Sequence, residues 1–326
     1  MAQTVKLASG YDMPLVGFGL WKVDRNTTAD TVYAAIQAGY RLFDGAYDYA
    51  NEKEAGEGIR RAIGEGLVKR EEVFVTTKLW NTYHKKEHVE DMGKLQCETW
   101  GLGYIDLYLI HFPVAQEYIE PEKLRYPGWW QDAAHSVVSL AKVPIMETWQ
   151  AMESLVDAQI CRSIGVSNFS TQLLYDMLSY TRHPISSLQI EHHPYLVQPQ
   201  LIAMAQENGI VVTGYSTFGP QSFLELPEEF RKRAKDAPLL FESETVKKIA
   251  AKYGRRVGQV LLRWATQRGI AVIPKSNNKA RLAENLQVND FSMTEEELKE
   301  IAGLDRGLRF NDPGFYLPDH PIRIFA

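Results

Sequence analysis

Short β-branched apolar runs alternate along this chain with stretches whose apolar positions recur at helical spacing. Eight runs read as strands: residues 15–20, 40–44, 73–78, 105–111, 163–168, 187–191, 210–216 and 271–275. Helical periodicity with charged outer faces falls between them, over 28–38, 52–65, 86–101, 145–158, 171–180, 199–208 and 244–253. Strands alternating with helices imply a parallel sheet with right-handed crossovers. Eight such units fit a closed (β/α)8 TIM barrel, an α/β fold, better than an open doubly wound sheet.

Additions to the eight units are also visible. Residues 5–7 and 13–15, around the turn pair Ser9-Gly10, read as a β-hairpin able to plug the N-terminal end of the barrel. Residues 310–326 lack a period and read as an ordered C-terminal tail over the active-site mouth. The stretches 113–143 and 218–243 are inserted loops carrying Trp129, Trp130, Phe223 and Phe230. Loops of such length are usually functional or disordered, and aromatic content favours function. With no linker or low-complexity tract in view, residues 1–326 are expected to form a single barrel domain.

Composition narrows the class. The 326 residues are 45% apolar and 24% charged, enough to bury roughly three quarters of the unfolded surface without a metal or disulfide staple. Lys and Arg number 36 against 41 Asp and Glu, a net charge of -5, which speaks against a nucleic-acid partner. Two cysteines, Cys97 and Cys161, allow at most one disulfide and no Cys-based zinc site. Residues 1–14 lack an apolar signal segment, and no run nears the roughly 18 residues of a membrane span, so a cytoplasmic protein with no membrane partner is expected.

In such a barrel, polar residues at the carboxyl ends of strands point into a shared mouth. Asp44, Lys78 and His111 close three consecutive strands, followed by Ser167, Asn168, Gln189, Tyr215, Lys275 and Ser276. Taken singly, Asp44 could cap the next helix, Lys78 could be a solvated strand end and His111 a core histidine. Together the first three would converge, with the phenol of Tyr49 five residues beyond Asp44. A buried lysine beside an aspartate keeps its charge, and that cation is expected to lower the pKa of a neighbouring phenol. Such a tyrosine can act as general acid toward a carbonyl oxygen that His111 orients.

No protein nucleophile or zinc motif accompanies this acid, and Glu191-His192-His193 reads as a structural cluster, so no metal is expected. An acid without a nucleophile suggests hydride from a cofactor. Lys275, Ser276 and Arg281 at the eighth strand's end and the next helix suit a phosphate, and the Lys/Arg pair suits a ribose 2'-phosphate, hence NADPH. The G-x-G-x-x-G fingerprint is absent, which argues against a Rossmann domain.

The chain resembles the aldo-keto reductase superfamily and, within it, the fungal D-xylose (aldose) reductases. The segments that carry the resemblance are GYRLFDGA at 39–46 with Tyr49, Asn51 and Glu52; TKLWN at 77–81; LIHFP at 109–113; GVSNF at 165–169; QIEHHPY at 189–195; and IPKSN at 273–277. The resemblance implies a tetrad of Asp44, Tyr49, Lys78 and His111 with Tyr49 as proton donor. It implies that Ser167, Asn168 and Gln189 hold a nicotinamide carboxamide, that Tyr215 stacks on the ring, that Lys275, Ser276, Asn277 and Arg281 bind the adenosine phosphate, and that Glu284 and Asn285 meet the adenine. Phe112, Asp48 and the Arg309-Phe310-Asn311 segment match the xylose reductases. Asp48 and Asn311 suit sugar hydroxyls, and Trp21 would supply an apolar wall. Tyr47 and Ala50 depart from that pattern, which expects a smaller residue and glycine.

The implied activity is NADPH-dependent reduction of an open-chain pentose, D-xylose to xylitol, with L-arabinose as a competing substrate. Asn277 and Glu225 could bond the free ribose hydroxyls of NADH, so use of both cofactors is expected. A broad aldehyde or sugar-acid reductase is the alternative among enzymes. A non-catalytic NADPH-binding regulatory protein or a structural protein of the same fold is the alternative outside them. Dimers are usual among the xylose reductases, which brings a homodimer as a further expectation.

Overall fold

The structure is a computed structural model that describes residues 3–325 other than Ala133, Asn277, Pro318, His320 and Pro321, and of Lys279 the backbone alone. A hairpin comes first, β1 (Thr4–Lys6) pairing antiparallel with β2 (Asp12–Pro14). The alternation then runs β3 (Phe18–Gly19), α1 (Arg25–Ala38), β4 (Leu42–Asp44), α2 (Glu52–Gly64), β5 (Phe74–Leu79), α3 (Lys86–Trp100), β6 (Ile105–Ile110) and α4 (Ile145–Asp157). It continues β7 (Cys161–Ser167), α5 (Thr171–Leu178), β8 (Ser187–Glu191), α6 (Pro199–Glu207), β9 (Val211–Tyr215), α7 (Glu228–Lys235), α8 (Glu244–Tyr253), α9 (Val257–Thr266) and β10 (Ala271–Val272). Helices α10 (Lys279–Leu286), α11 (Glu295–Ala302) and α12 (Pro313–Tyr316) follow.

Strands β3 to β10 form one parallel sheet in sequence order. Its two edges meet at a seam, where Val16 bridges Val272 in parallel, Gly17 N donates to Val272 O at 2.8 Å and Val272 N to Leu15 O at 2.8 Å. The expected barrel is therefore closed. Its first and last ladders are shorter than the apolar runs that announced them, and at the seam Pro274 has no N–H to follow Val272 as a donor. Central strands β5 and β6 are buried on both faces, as the near-continuous apolar runs imply.

Two packing layers follow from the pleat. Side chains inside the barrel, among them Leu42, Phe74, Leu107, Leu109 and Val211, pack with Leu7, Met13 and Leu15 of the hairpin region, which closes the N-terminal end as expected. Outward residues such as Phe43, Val75 and Tyr108 pack beneath the helices, which present Val32 and Ile36 of α1, Ala55 and Ile59 of α2, and Val89 and Met92 of α3 at three- and four-residue spacing. Cys97 and Cys161 are free and buried. No helix among the described residues is long and apolar enough to cross a membrane.

The stretch 218–243 differs from the loop expected of it, since it contains α7. That helix has an apolar face of only Phe230 and Ala234, and it places Glu228 and Glu229 at its start and Lys232, Arg233 and Lys235 at its end, complementing the helix dipole.

The seam makes its own demand on sequence. A Cβ on Gly19 would stand 2.6 Å from the carbonyl oxygen of Ile273. Gly19→Ala is expected to lower stability by about 1–3 kcal/mol through forced separation of the seam. A urea titration reads this as a lower midpoint at unchanged slope, and an unaltered midpoint would show that the seam yields freely.

Candidate active site

Residues at the carboxyl ends of neighbouring strands meet around a buried lysine. The Lys78 side chain, at the end of β5, has no exposed surface. Its Nζ donates to Asp44 Oδ1 at 2.7 Å, to the Gly45 carbonyl at 2.7 Å and to Tyr49 Oη at 3.3 Å, which occupies all three ammonium protons. The second oxygen of Asp44 accepts from Gln189 Nε2 at 2.6 Å. Strands β4, β5 and β8 are thus tied across the barrel through one ion pair.

Tyr49 reaches this point on a single 3-10 turn, Tyr47–Tyr49, that stops where Ala50 takes φ 59°. This left-handed position costs a residue with a Cβ roughly 1–2 kcal/mol and accounts for the glycine the family pattern expects there. Asn51 Nδ2 holds the turn by donating to the carbonyls of Leu20 at 3.0 Å and Val23 at 3.1 Å. Tyr47 packs on the rings of Tyr83 and Tyr126. His111 follows β6; its ring stands edge-on to Tyr49 and Trp80 and stacks on Phe112. Its Nδ1 lies 3.1 Å from Asp48 Oδ1, without the alignment of a hydrogen bond.

One expectation is overturned here. The phenol of Tyr49 is not lowered but pushed well above its ordinary value, first by burial and then by the carboxylates of Asp44 and Asp48. Lys78 does not reverse this, because its charge is matched by Asp44. Tyr49 is therefore a protonated hydroxyl whose oxygen already accepts a hydrogen bond from an ammonium group.

A cavity of about 1490 Å³ opens beside these groups. Asp44, Tyr49 and His111 line it, together with Trp21, Asp48, Phe112 and Asn311. So do Asn168, Gln189, Tyr215, Glu225, Lys275, Ser276, Arg281, Glu284 and Asn285. Ser167 does not: its hydroxyl donates to the Gln189 carbonyl at 3.0 Å and accepts from Asn168 Nδ2 at 3.2 Å, behind the wall. Asn277 lies outside the described residues. Asn168, at φ 64°, donates to the His111 carbonyl at 2.9 Å and accepts from Tyr215 Oη at 2.7 Å.

One end of the cavity is rich in cations. Glu225 Oε2 lies 3.7 Å from Lys275 Nζ and 3.9 Å from Lys22 Nζ. Burial holds Lys22 down to about 8 against the pull of Glu225. Arg256 pairs with Glu284 at 3.0 Å, whereas the Arg281 guanidinium makes no ion pair among the described residues. A cavity larger than the roughly 300–1,000 Å³ of a drug-sized ligand, with an uncommitted guanidinium in its wall, fits an extended dinucleotide phosphate together with a small substrate.

The profile of the aldo/keto reductase family matches residues 15–306. The chain belongs to the aldo/keto reductase family. It is 60% identical over 322 residues to the probable NAD(P)H-dependent D-xylose reductase of Emericella nidulans, covering 99% of both chains. It is 58% identical over 318 residues to the NAD(P)H-dependent D-xylose reductase of Aspergillus niger, covering 97% of this chain and 98% of the relative. With the probable D-xylose reductase of Arthroderma otae it shares 55% over 321 residues, 98% of this chain and 97% of that one.

Several aromatic wall residues of this aldo/keto reductase have no role predicted from the sequence, although Trp80 lies within the TKLWN segment. Trp80 donates its Nε1–H to the Gly128 carbonyl at 2.7 Å, and Trp129 packs on Trp80, Phe112 and Tyr316. Phe223, Phe230 and Tyr316 complete the apolar side. The aromatic density of the two long loops was the signal for Trp129, Phe223 and Phe230. Asn278 was missed: its side chain caps α10 by accepting from Ala280 N at 2.9 Å and Arg281 N at 3.2 Å, and a single Asn before a helix is too common to mark a cavity.

The ion pair makes a stability prediction. Lys78→Met leaves Asp44 buried without its cation and is expected to cost about 3–5 kcal/mol. Lys78→Met combined with Asp44→Asn should recover part of the loss, because no isolated charge remains. Thermal melts of the two variants test this, and equal losses would show that packing rather than charge dominates.

Proposed function

We propose that this aldo/keto reductase reduces the open-chain aldehyde of a pentose, D-xylose to xylitol and also L-arabinose to L-arabitol, using NADPH and, less tightly, NADH. The observation that carries the reading is the Tyr49 hydroxyl, protonated and bonded to Lys78, facing a cavity whose wall also holds His111, Asp48 and Asn311. The full-length likeness to proteins named NAD(P)H-dependent D-xylose reductase supports the same substrate.

A bound nicotinamide supplies the hydride that the carbonyl carbon takes up. The carbonyl oxygen takes its proton from Tyr49 Oη. Lys78 already donates to that oxygen, so the phenolate left behind is met by a cation placed before the reaction. Asp44 keeps that cation in position from the far side. His111, braced by Asp48, Trp80 and Phe112, is placed to orient the carbonyl. Asp48 and Asn311 bring polar groups suited to sugar hydroxyls, and Trp21, Phe112 and Trp129 exclude water around them. Gln189, Asn168 and Tyr215 are assigned to the nicotinamide, and Lys275, Ser276, Asn277 and Arg281 to the phosphates. Glu284 and Asn285 are assigned to the adenine.

NADPH oxidation followed by absorbance with D-xylose, L-arabinose and benzaldehyde tests the reading, which falls if neither pentose is turned over. Tyr49→Phe is expected to lower turnover at least about a hundredfold while cofactor affinity, read by fluorescence titration, stays within about twofold. Since the phenol is raised, Tyr49 remains protonated through about pH 9, so kcat should be level from about pH 6 to 9 at saturating substrates. A fall in that range would name another donor.

The phosphate assignment has a separate check. Arg281→Ala should weaken NADPH about tenfold or more and leave NADH nearly unchanged, because only NADPH carries the 2'-phosphate. Equal losses would move Arg281 away from that group.

A further inference from the structure

Beyond the tetrad, one buried carboxylate holds the part of the chain that supplies Asn311. Glu191 ends β8, two residues after Gln189 and on the same face of the strand, and has no exposed surface. Its Oε1 accepts from His193 Nε2 at 2.8 Å and from the Phe310 amide at 2.9 Å, and its Oε2 accepts from the Asn311 amide at 2.8 Å. A charged carboxylate buried among three donors is well satisfied, and the two amides belong to the tail, about 120 residues further along the chain. Phe310 itself sits between the rings of His193 and Phe223.

Asn311 belongs to no helix or strand. Its placement depends on the Glu191 carboxylate and on its own amide, which donates to Tyr215 Oη at 3.0 Å and accepts from Tyr316 Oη at 3.1 Å. From Tyr215 the bonds continue to Asn168 and then to the carbonyl of His111. We propose that Glu191 is a positioning residue for substrate selection: by holding the Phe310 and Asn311 amides it fixes the tail so that the Asn311 side chain stands in the cavity wall against Tyr215. The proposal rests on the reading of Asn311 as a group that meets sugar hydroxyls.

Glu191→Gln keeps the size of the side chain but can leave an NH2 facing an amide donor. The variant should raise KM for D-xylose about tenfold with little change in kcat, while kcat/KM for benzaldehyde, which has no hydroxyls to meet, stays within about twofold. Combined with Asn311→Ala it should behave as Asn311→Ala alone, since both changes act through one side chain. Equal losses on both aldehydes, or additive losses in the double variant, would overturn the proposal and leave Glu191 a purely structural group. In the unmodified protein, the amides of residues 310 and 311 should exchange hydrogen far more slowly than those of a free loop, and free-loop rates overturn it without any variant. A wild-type enzyme that reduces benzaldehyde but no pentose overturns the xylose reading by itself, and the exchange rates then decide the anchor alone.

Discussion

The geometry of the barrel mouth depends on the full coordination of one ammonium group. Lys78 is buried completely, and water is replaced by three oxygens at 2.7, 2.7 and 3.3 Å. Each comes from a different part of the β4 connection: the strand end, the following carbonyl and the turn. Desolvating an ammonium is so costly that such a site persists only when every proton has an acceptor. That requirement dictates where Asp44, Gly45 and Tyr49 must be. Below it a second buried carboxylate, Glu52, accepts from Gln96 at 2.8 Å and Trp100 at 2.9 Å and also bonds Thr77, the neighbour of Lys78. Burial pushes the Glu52 acid up, but its four-membered network holds β5 against α2 and α3 from behind.

Above the lysine, the walls come from three separate stretches that meet through aromatic rings and one guanidinium. Trp129 of the 113–143 stretch faces Tyr316 of the tail, and Phe230 of α7 packs on the same Tyr316 at 4.9 Å. Arg233 of α7 donates to the Arg309 carbonyl at 2.7 Å and lies over the Phe315 ring. The two long insertions therefore do not cover the mouth independently. Each is braced by the tail, and the tail is held to the barrel by Glu191.

Much of this was legible because barrel strands carry two signals together. Their apolar runs mark the strand, and polar residues at the ends of the runs mark the mouth, so the sequence places Asp44, Lys78, His111, Gln189 and Tyr215 there. Helix α7 was hidden because its apolar face is a single pair, Phe230 and Ala234, among six charged residues. The pairing of Asp48 with His111 was hidden because it joins a turn to a strand end without a shared motif. The direction of the Tyr49 phenol was misread for a physical reason: a cation beside a phenol lowers its pKa only when the cation is not already neutralised. Asp44 is bound to the same nitrogen, and burial then decides the sign.

The seam between Val16 and Val272 also bears on how the protein is made. The strand that waits at the N-terminal side is synthesised early and its partner late, an interval on the order of tens of seconds at ordinary rates of translation. During that time the ribosome-bound chain carries an unpaired sheet edge, the kind of surface on which nascent polypeptides associate wrongly. Among the described residues only three backbone groups, Leu15 O, Gly17 N and Gly19 N, bond across that edge to Val272 and Pro274. A short edge offers few hydrogen bonds to a stranger, so the brevity of the first strand protects the nascent chain until its own last strand arrives.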